Sequence, residues 1–350
     1  MQQKIHFECD YTEGAHPKIL KRLMETNMEQ TVGYGEDPYC QKAAELIREL
    51  CKKGEVAVHF LVGGTQANLT VISALLRPHQ AAVCVETGHI NVHETGAIEA
   101  VGHKVISVPG KNGKLTAEDV ERVYRLHWED ATHEHMPQPK LVYISNPTEI
   151  GTIYTKAELE ALRAVCDRCG LYLFLDGARL GYGLAAEDND LDLESIAANC
   201  DVFYIGGTKM GALFGEAVVI CNPKLQEDFR YLIKQKGGML AKGRLLGIQF
   251  LELLQDGLYF DLGEHAVKLA QKLREGLLNA GYKMQDSTTN QQFVIVSDEE
   301  LKKIEEKYCV SYIERIGEDQ NVIRICTSWA TTEENVEQFL RDAEQIKKAL

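Results

Sequence analysis

From Thr155 to Arg179 the chain reads TKAELEALRAVCDRCGLYLFLDGAR, and the fold class can be read from this stretch. Thr155 and Glu158 are spaced as a capping box, each side chain placed to satisfy a free amide at a helix start. Gly170 ends that helix, and Leu171–Leu175 follows at once as an apolar run with no polar alternation. A strand apolar on both sides must be covered on both faces, as in a parallel sheet between layers of helices. The same rhythm extends outward through Val56–Val62, Ala82–Val85, Lys104–Val108, Leu141–Ser145, Val202–Ile205 and Ala217–Cys221. Asp37 and Pro38 open a further amphipathic helix as N-cap and first residue. We expect an α/β protein whose large domain, residues 31–240, holds a mostly parallel seven-stranded sheet covered by helices.

After residue 222 the rhythm changes. The pattern predicts one long helix over Pro223–Gln255 and a second over Asp261–Asn279. Strands at Gln292–Ser297 and Val322–Cys326 then alternate with helices near 298–307 and 331–348. Residues 241–350, with a weakly patterned segment 1–30 packed on the body, read as a small C-terminal α+β domain.

Composition excludes several classes. A chain of 350 residues, 45% hydrophobic and 26% charged, is globular and too long for one ordinary core. No apolar run reaches membrane-spanning length, and the start at Met1–Glu8 has no signal-peptide stretch, so a cytoplasmic protein is expected. Lys plus Arg total 38 against 52 acidic residues, a net charge of −14. That field repels phosphate backbones, which argues against nucleic acid as a partner. The ten cysteines are scattered and expected to be reduced. Cys166 and Cys169 have metal-like spacing but no second pair, so no metal site is expected.

In open α/β sheets, ligands bind beyond the carboxyl ends of the strands. Past Val56–Val62 stands Gly63-Gly64-Thr65-Gln66-Ala67-Asn68, opening a helix. Glycines admit an anion close to backbone amides, and the helix start supplies free N–H donors; a plain tight turn has the same sequence. Past Leu171–Leu175 stands Asp176, with Arg179 near; the alternative is an N-cap with a local ion pair. Past Val202–Ile205 stands Lys209 among small residues, where an ordinary surface lysine is the alternative. Together, a phosphate turn, a strand-end acid and a strand-end lysine are the parts needed to hold pyridoxal 5'-phosphate. Its aldehyde needs an amine, and its pyridine nitrogen needs a carboxylate to stay protonated.

The chain resembles the threonine aldolase and β-eliminating lyase family, pyridoxal-phosphate enzymes of the aspartate-aminotransferase fold type. The resemblance rests on Asp10 to Pro17, Tyr34-Gly35-Glu36-Asp37-Pro38, the Gly63–Asn68 turn, His89 to Gly96, Asn146 to Tyr154, Asp176 to Arg179, and Thr208-Lys209. It implies that Lys209 binds the cofactor covalently and that Asp176 partners the pyridine nitrogen. Gly64, Thr65 and Gln66 would cradle the phosphate, and His89 would stack on the ring, although His89 and His93 also have metal-pair spacing. Arg179 would lie near the cofactor's phenolic oxygen and the substrate carboxylate. Arg324 would clamp that carboxylate; a solvent-facing strand arginine is the alternative.

A histidine before Leu141–Ser145 is implied to contact the substrate hydroxyl; counting back favours His135 over His133. Two positions depart from the family: Cys9 stands where many relatives have serine, and Leu240 where they have a phosphate-reaching arginine, with Lys242 as a substitute. The implied reaction is Cα–Cβ cleavage of a β-hydroxy-α-amino acid, threonine or allo-threonine giving glycine and acetaldehyde. His89, His135 or a water are the candidate bases. β-Elimination on the same scaffold and a catalytically silent cofactor-binding protein are the alternatives. The resemblance also implies a homodimer or homotetramer, with Tyr34 and Lys242 reaching across a subunit boundary.

Overall fold

Each of the seven apolar runs forms a strand. The protein was analysed as a computed structural model that describes residues 4–349. A two-residue strand β1 (Ile5–His6) precedes β2 (Ala57–Leu61), β3 (Gln80–Val85), β4 (Lys104–Val108), β5 (Gln138–Ser145), β6 (Tyr172–Asp176), β7 (Val202–Gly206) and β8 (Glu216–Ile220). The seven from β2 onward form one sheet in the order β2-β8-β7-β6-β5-β3-β4. Neighbours run parallel except at β8, which is antiparallel to both β2 and β7.

Side chains alternate across this sheet with the two-residue period of a strand. Val142, Ile144, Leu173, Leu175, Phe203 and Ile205 enter one apolar cluster. Their neighbours Leu141, Tyr143, Phe174, Val202 and Tyr204 enter the other, on the opposite face. The helix Lys156–Cys169 starts at the Thr155/Glu158 capping box and ends at Gly170 in the left-handed conformation, φ 63°. Asp37 caps Pro38–Leu50, its Oδ1 accepting from the amides of Tyr39 and Cys40.

The C-terminal part carries β9 (Lys283–Met284), β10 (Gln291–Val296), β11 (Tyr308–Cys309), β12 (Ser311–Gly317) and β13 (Gln320–Cys326). Four of these form an antiparallel sheet in the order β12-β13-β10-β9, and β11 pairs with β1. Strand β12 escapes the sequence pattern because it is an edge strand, with six of its seven residues exposed and no apolar face to read. The long helix expected over Pro223–Gln255 is broken into a turn at Pro223–Leu225 and helices Phe229–Gln235 and Arg244–Leu254. Two left-handed residues mark the breaks, Asp228 at φ 58° before Phe229 and Gly237 at φ 74° after Gln235.

The segment 1–30 packs on both bodies. Phe7 is fully buried in the small core, edge-on to Phe339 at 5.6 Å between centroids, while Ile19 is buried in the large one. The expected division at residue 240 falls between two helices, and Phe250 and Leu253 of the second pack into the large core. Helix Leu258–Asn279 spans both parts: Tyr259, Leu262 and Ala266 enter the large core and Leu269, Leu273 and Leu277 the small one. Among the described residues, no helix is long and apolar enough to cross a membrane.

Candidate active site

Strand register gathers the chemistry at one edge. Ser145 at the end of β5 pairs with Asp176 at the end of β6, and Gly206 at the end of β7 pairs with Glu216 at the start of β8. Because β8 runs backwards, its first residue lies where the parallel strands have their carboxyl ends. A cavity of about 270 Å³ opens at this edge, and Gly64, Thr65, His89, Asp176, Arg179 and Lys209 all line it.

Asp176 is 4% exposed and held by several donors. Its Oδ2 accepts from Asn68 Nδ2 at 3.0 Å and from the Tyr143 hydroxyl, and its Oδ1 from the Ala178 amide at 3.0 Å. Burial alone would raise this carboxyl's pKa, but the His89 imidazole and the Tyr143 and Tyr204 hydroxyls outweigh burial and hold it below the usual value. Asp176 therefore stays ionised while sealed from water.

Lys209 lies on the turn after β7, with Nζ 5.9 Å from the centre of the Tyr11 ring. Burial and the nearby Arg179 guanidinium lower its pKa below the lysine range, against the pull of Asp10, Asp176 and Glu216. A neutral amine is the nucleophilic form. Arg179 is not free. Its Nε and Nη2 donate to the two oxygens of Asp10 at 2.7 and 2.9 Å, and Asn290 Nδ2 donates to Asp10 Oδ2 at 3.0 Å. Burial would raise the Asp10 pKa, but Arg179 and Lys209 pull it down to about 2.

Helix Gly64–Leu75 begins at the cavity wall with no side-chain cap, which leaves its first amides for an anion. A Cβ at Gly64 would come within 3.0 Å of the Tyr204 hydroxyl, so glycine keeps this approach open. The His89 ring is fixed by Nδ1 against Glu94 Oε1 at 2.9 Å, and Asn68 Nδ2 donates to the same oxygen at 2.7 Å. Burial opposes protonation of His89, but Glu94 and Asp176 prevail and raise its pKa.

The other expected residues lie elsewhere. The Gln66 side chain is used in bracing the loop, accepting from the Val62 amide and donating to the Lys236 carbonyl. Arg324 donates to Gln291 Oε1 and to the Glu8 carbonyl at 3.2 and 3.1 Å, and its Nε is buried without a partner among the described residues. Tyr34 lines a separate groove with Arg230, Met239 and Leu240, and Lys242 is exposed beyond it. His135 is not among the residues that line this cavity within one chain. It lies in a short exposed turn before Gln138, at the amino end of β5, whereas the cavity is at the carboxyl end. Eight residues of strand put on the order of 25 Å between the two edges.

Three further acids belong to the site although no strand-end position points to them. Asp10, in the N-terminal segment, is the partner of Arg179. Glu216 is 3% exposed, lines the cavity and accepts from the Thr208 hydroxyl at 3.2 Å. Burial raises its pKa above the carboxylate range despite Lys209. Glu149, in the loop after β5, also lines the cavity and accepts through Oε1 from Ser145 Oγ at 2.7 Å and the His89 amide at 3.0 Å. Away from the cavity, His6, Glu8 and Cys309 bring possible metal-ligand atoms within 4.8 Å of one another.

The comparisons with known proteins agree with this geometry. The model of a family described as beta-eliminating lyase matches residues 7–299. A low specificity L-threonine aldolase from a Pseudomonas species is 31% identical over 99% of this chain and 99% of its own. The structure of a threonine aldolase from Leishmania major superposes with a TM-score of 0.95 at 46% identity, covering 98% of this chain and 99% of that one. A Thermus thermophilus aspartate aminotransferase shares the fold at a TM-score of 0.72 and 15% identity, covering 98% and 91%.

Proposed function

This chain belongs to the β-eliminating lyase family, and from that premise we propose that it is a pyridoxal-phosphate-dependent lyase cleaving the Cα–Cβ bond of β-hydroxy-α-amino acids. Its substrates would be L-threonine or L-allo-threonine, giving glycine and acetaldehyde. One observation carries the reading: the Lys209 amine and the ionised Asp176 line the same cavity as an uncapped helix start. The names of the Pseudomonas and Leishmania relatives support the choice of reaction.

The residues fit the cofactor. Lys209 would bind its aldehyde, Asp176 its ring nitrogen, and Gly64 with Thr65 its phosphate, while His89 would lie against the ring. When bound, pyridoxal phosphate draws off the electron pair left on Cα as the bond to Cβ breaks. Asp176 supplies a fixed negative charge, already desolvated and hydrogen-bonded, so it need not reorganise during the reaction. Arg324 and Arg179 would orient the substrate carboxylate, with Asp10 holding Arg179 in place. A homodimer or homotetramer is part of the reading; Met28 and Val32, 87% and 64% exposed in the segment preceding Tyr34, are apolar side chains that a second copy would bury.

The test is a spectrum and a product assay. Purified protein with pyridoxal phosphate should show a visible band that borohydride removes, and L-threonine should yield glycine and acetaldehyde. Lys209→Ala should lack both the band and the activity. Release of ammonia and a keto acid instead would redirect the assignment to β-elimination.

A further inference from the structure

Asn68 closes the Gly63–Asn68 motif and stands one helical turn on from Gly64 in helix Gly64–Leu75. It is fully buried. Its Nδ2 donates to Glu94 Oε1 at 2.7 Å and to Asp176 Oδ2 at 3.0 Å. One nitrogen therefore joins the helix that opens at the cavity, the end of β6 and the turn that follows residues 89–92. Resting on the cofactor reading above, we propose that Asn68 is a positioning residue whose amide holds two carboxylates side by side and so couples Asp176 to the His89–Glu94 pair.

Three observations support this. Two acids from separate elements converge on one point, where like charges repel unless a donor lies between them. An asparagine amide brings two N–H hydrogens, one for each acid, and no charge of its own. Asn68 Oδ1 is buried without a partner among the described residues, so the donor side alone accounts for an amide here. Turning the amide over would set that oxygen against both acids. Finally, Thr95 directly follows Glu94 with φ 53°, a strained conformation for a β-branched residue. Such strain persists where the surroundings fix the backbone, and Glu94 is fixed by Asn68 and by His89 Nδ1.

The two ends also sense each other. Burial opposes charge on both; the His89 imidazole is the leading influence that holds Asp176 ionised, and Glu94 with Asp176 favours the charged imidazole. The other titratable groups facing them are Tyr143 and Tyr204 at Asp176, Lys209 and Glu149 at both, and His93, whose ring lies 5.5 Å from that of His89. Taking a donor from an anion makes the anion, and the base paired with it, hold a proton more tightly. Without the Asn68 amide, His89 should bind its proton about tenfold more tightly. Asp176 would keep Tyr143 and the Ala178 amide but lose a donor to the oxygen that Tyr143 shares, so the cofactor should dissociate about tenfold faster.

The experiment compares wild type, Asn68→Ala and Asn68→Asp. Carbon-13-labelled histidine in the cofactor-free full chain reports the His89 titration, assigned by the signal lost in His89→Gln. Decay of the visible band on dilution of the holoenzyme reports cofactor loss. Asn68→Ala should move both readouts, each about tenfold and in the directions given, and a role in folding alone would not move the His89 titration. Asn68→Asp keeps the shape but sets a third acid between two others, so its cofactor loss should steepen as pH rises, as it does not in wild type. The coupling is overturned if Asn68→Ala leaves either readout within twofold of wild type or weakens proton binding at His89. It is equally overturned if Asn68→Asp retains the cofactor as wild type does at every pH, and this variant decides alone if Asn68→Ala does not fold. A wild-type protein that forms no visible band with pyridoxal phosphate overturns the cofactor reading instead, while the His89 titration still tests the link from Asn68 to Glu94.

Discussion

Replacing Asp10 with alanine should destabilise the protein measurably and alter Lys209, although the two lie 199 positions apart in the sequence. The Arg179 side chain is 13% exposed and the Asp10 side chain 0%. Removing the acid leaves a buried guanidinium without its bidentate partner and Asn290 without one of its acceptors. Breaking a buried ion pair from one side costs about 3–5 kcal/mol. With an unfolding entropy of about 2.1 cal/mol/K per residue and the chain treated as one cooperative unit, that is a fall in Tm of roughly 4–7 °C. The pH sign follows from Asp10, whose pKa is depressed to about 2 in the folded state from 3.8. Its contribution is complete above about pH 4 and is lost only as pH falls through about 2, so the difference from wild type should be full at pH 7. Lys209 also loses a favourable neighbour while Arg179 remains, so its amine should become neutral at a lower pH than in wild type. Thermal melts at pH 7 test the first statement, and the pH dependence of amine modification in the cofactor-free protein tests the second. If the alanine variant melts within 1 °C of wild type, the pair does not hold the site together.

Asp176→Asn keeps the shape of a residue that Asn68, Tyr143 and the Ala178 amide hold in place but removes its charge, and kcat should fall about 10²–10³-fold in the threonine assay. His135→Ala should leave kcat and KM within twofold of wild type, since the residue is exposed at the opposite edge of the sheet.

The sequence was informative where burial imposes a pattern. β7 begins at Val202, as its apolar run indicates, and all five of its residues are buried, because a strand covered on both faces leaves little room for polar residues. β12 carries no such constraint and was unreadable. The site follows the same division. Asp176 was legible because it directly follows an apolar run, and Lys209 because it lies on the short turn after one, where the ligand edge of a parallel sheet must be. Glu216 precedes its run, and reading only past strand ends overlooks it. It reaches the site because β8 is reversed, and direction within a sheet leaves no trace in a five-residue apolar segment. His135, counted back from β5, precedes a parallel strand and therefore lies at its amino end, away from the cavity of its own chain. The Asp10–Arg179 pair joins distant segments, and no local pattern encodes such a contact.

Charge balance explains why the buried acids divide as they do. Five carboxylates, those of Asp10, Glu94, Glu149, Asp176 and Glu216, occupy the cavity wall or the residues bonded to it, against three basic groups, His89, Arg179 and Lys209. Sealed from water, such an excess cannot remain fully ionised, because each unpaired charge lacks both solvent and partner. The acids with the best donors keep their charge: Asp10 under Arg179, and Asp176 under three side-chain and backbone groups. Glu94, Glu149 and Glu216 each keep a buried oxygen without a partner among the described residues, and burial raises the pKa values of Glu149 and Glu216. Acids whose environments push their pKa values apart mark a division between fixed charge and proton transfer. Here the fixed charges are Asp10 and Asp176, and the proton-accepting groups flank the cavity on β8 and on the loop after β5.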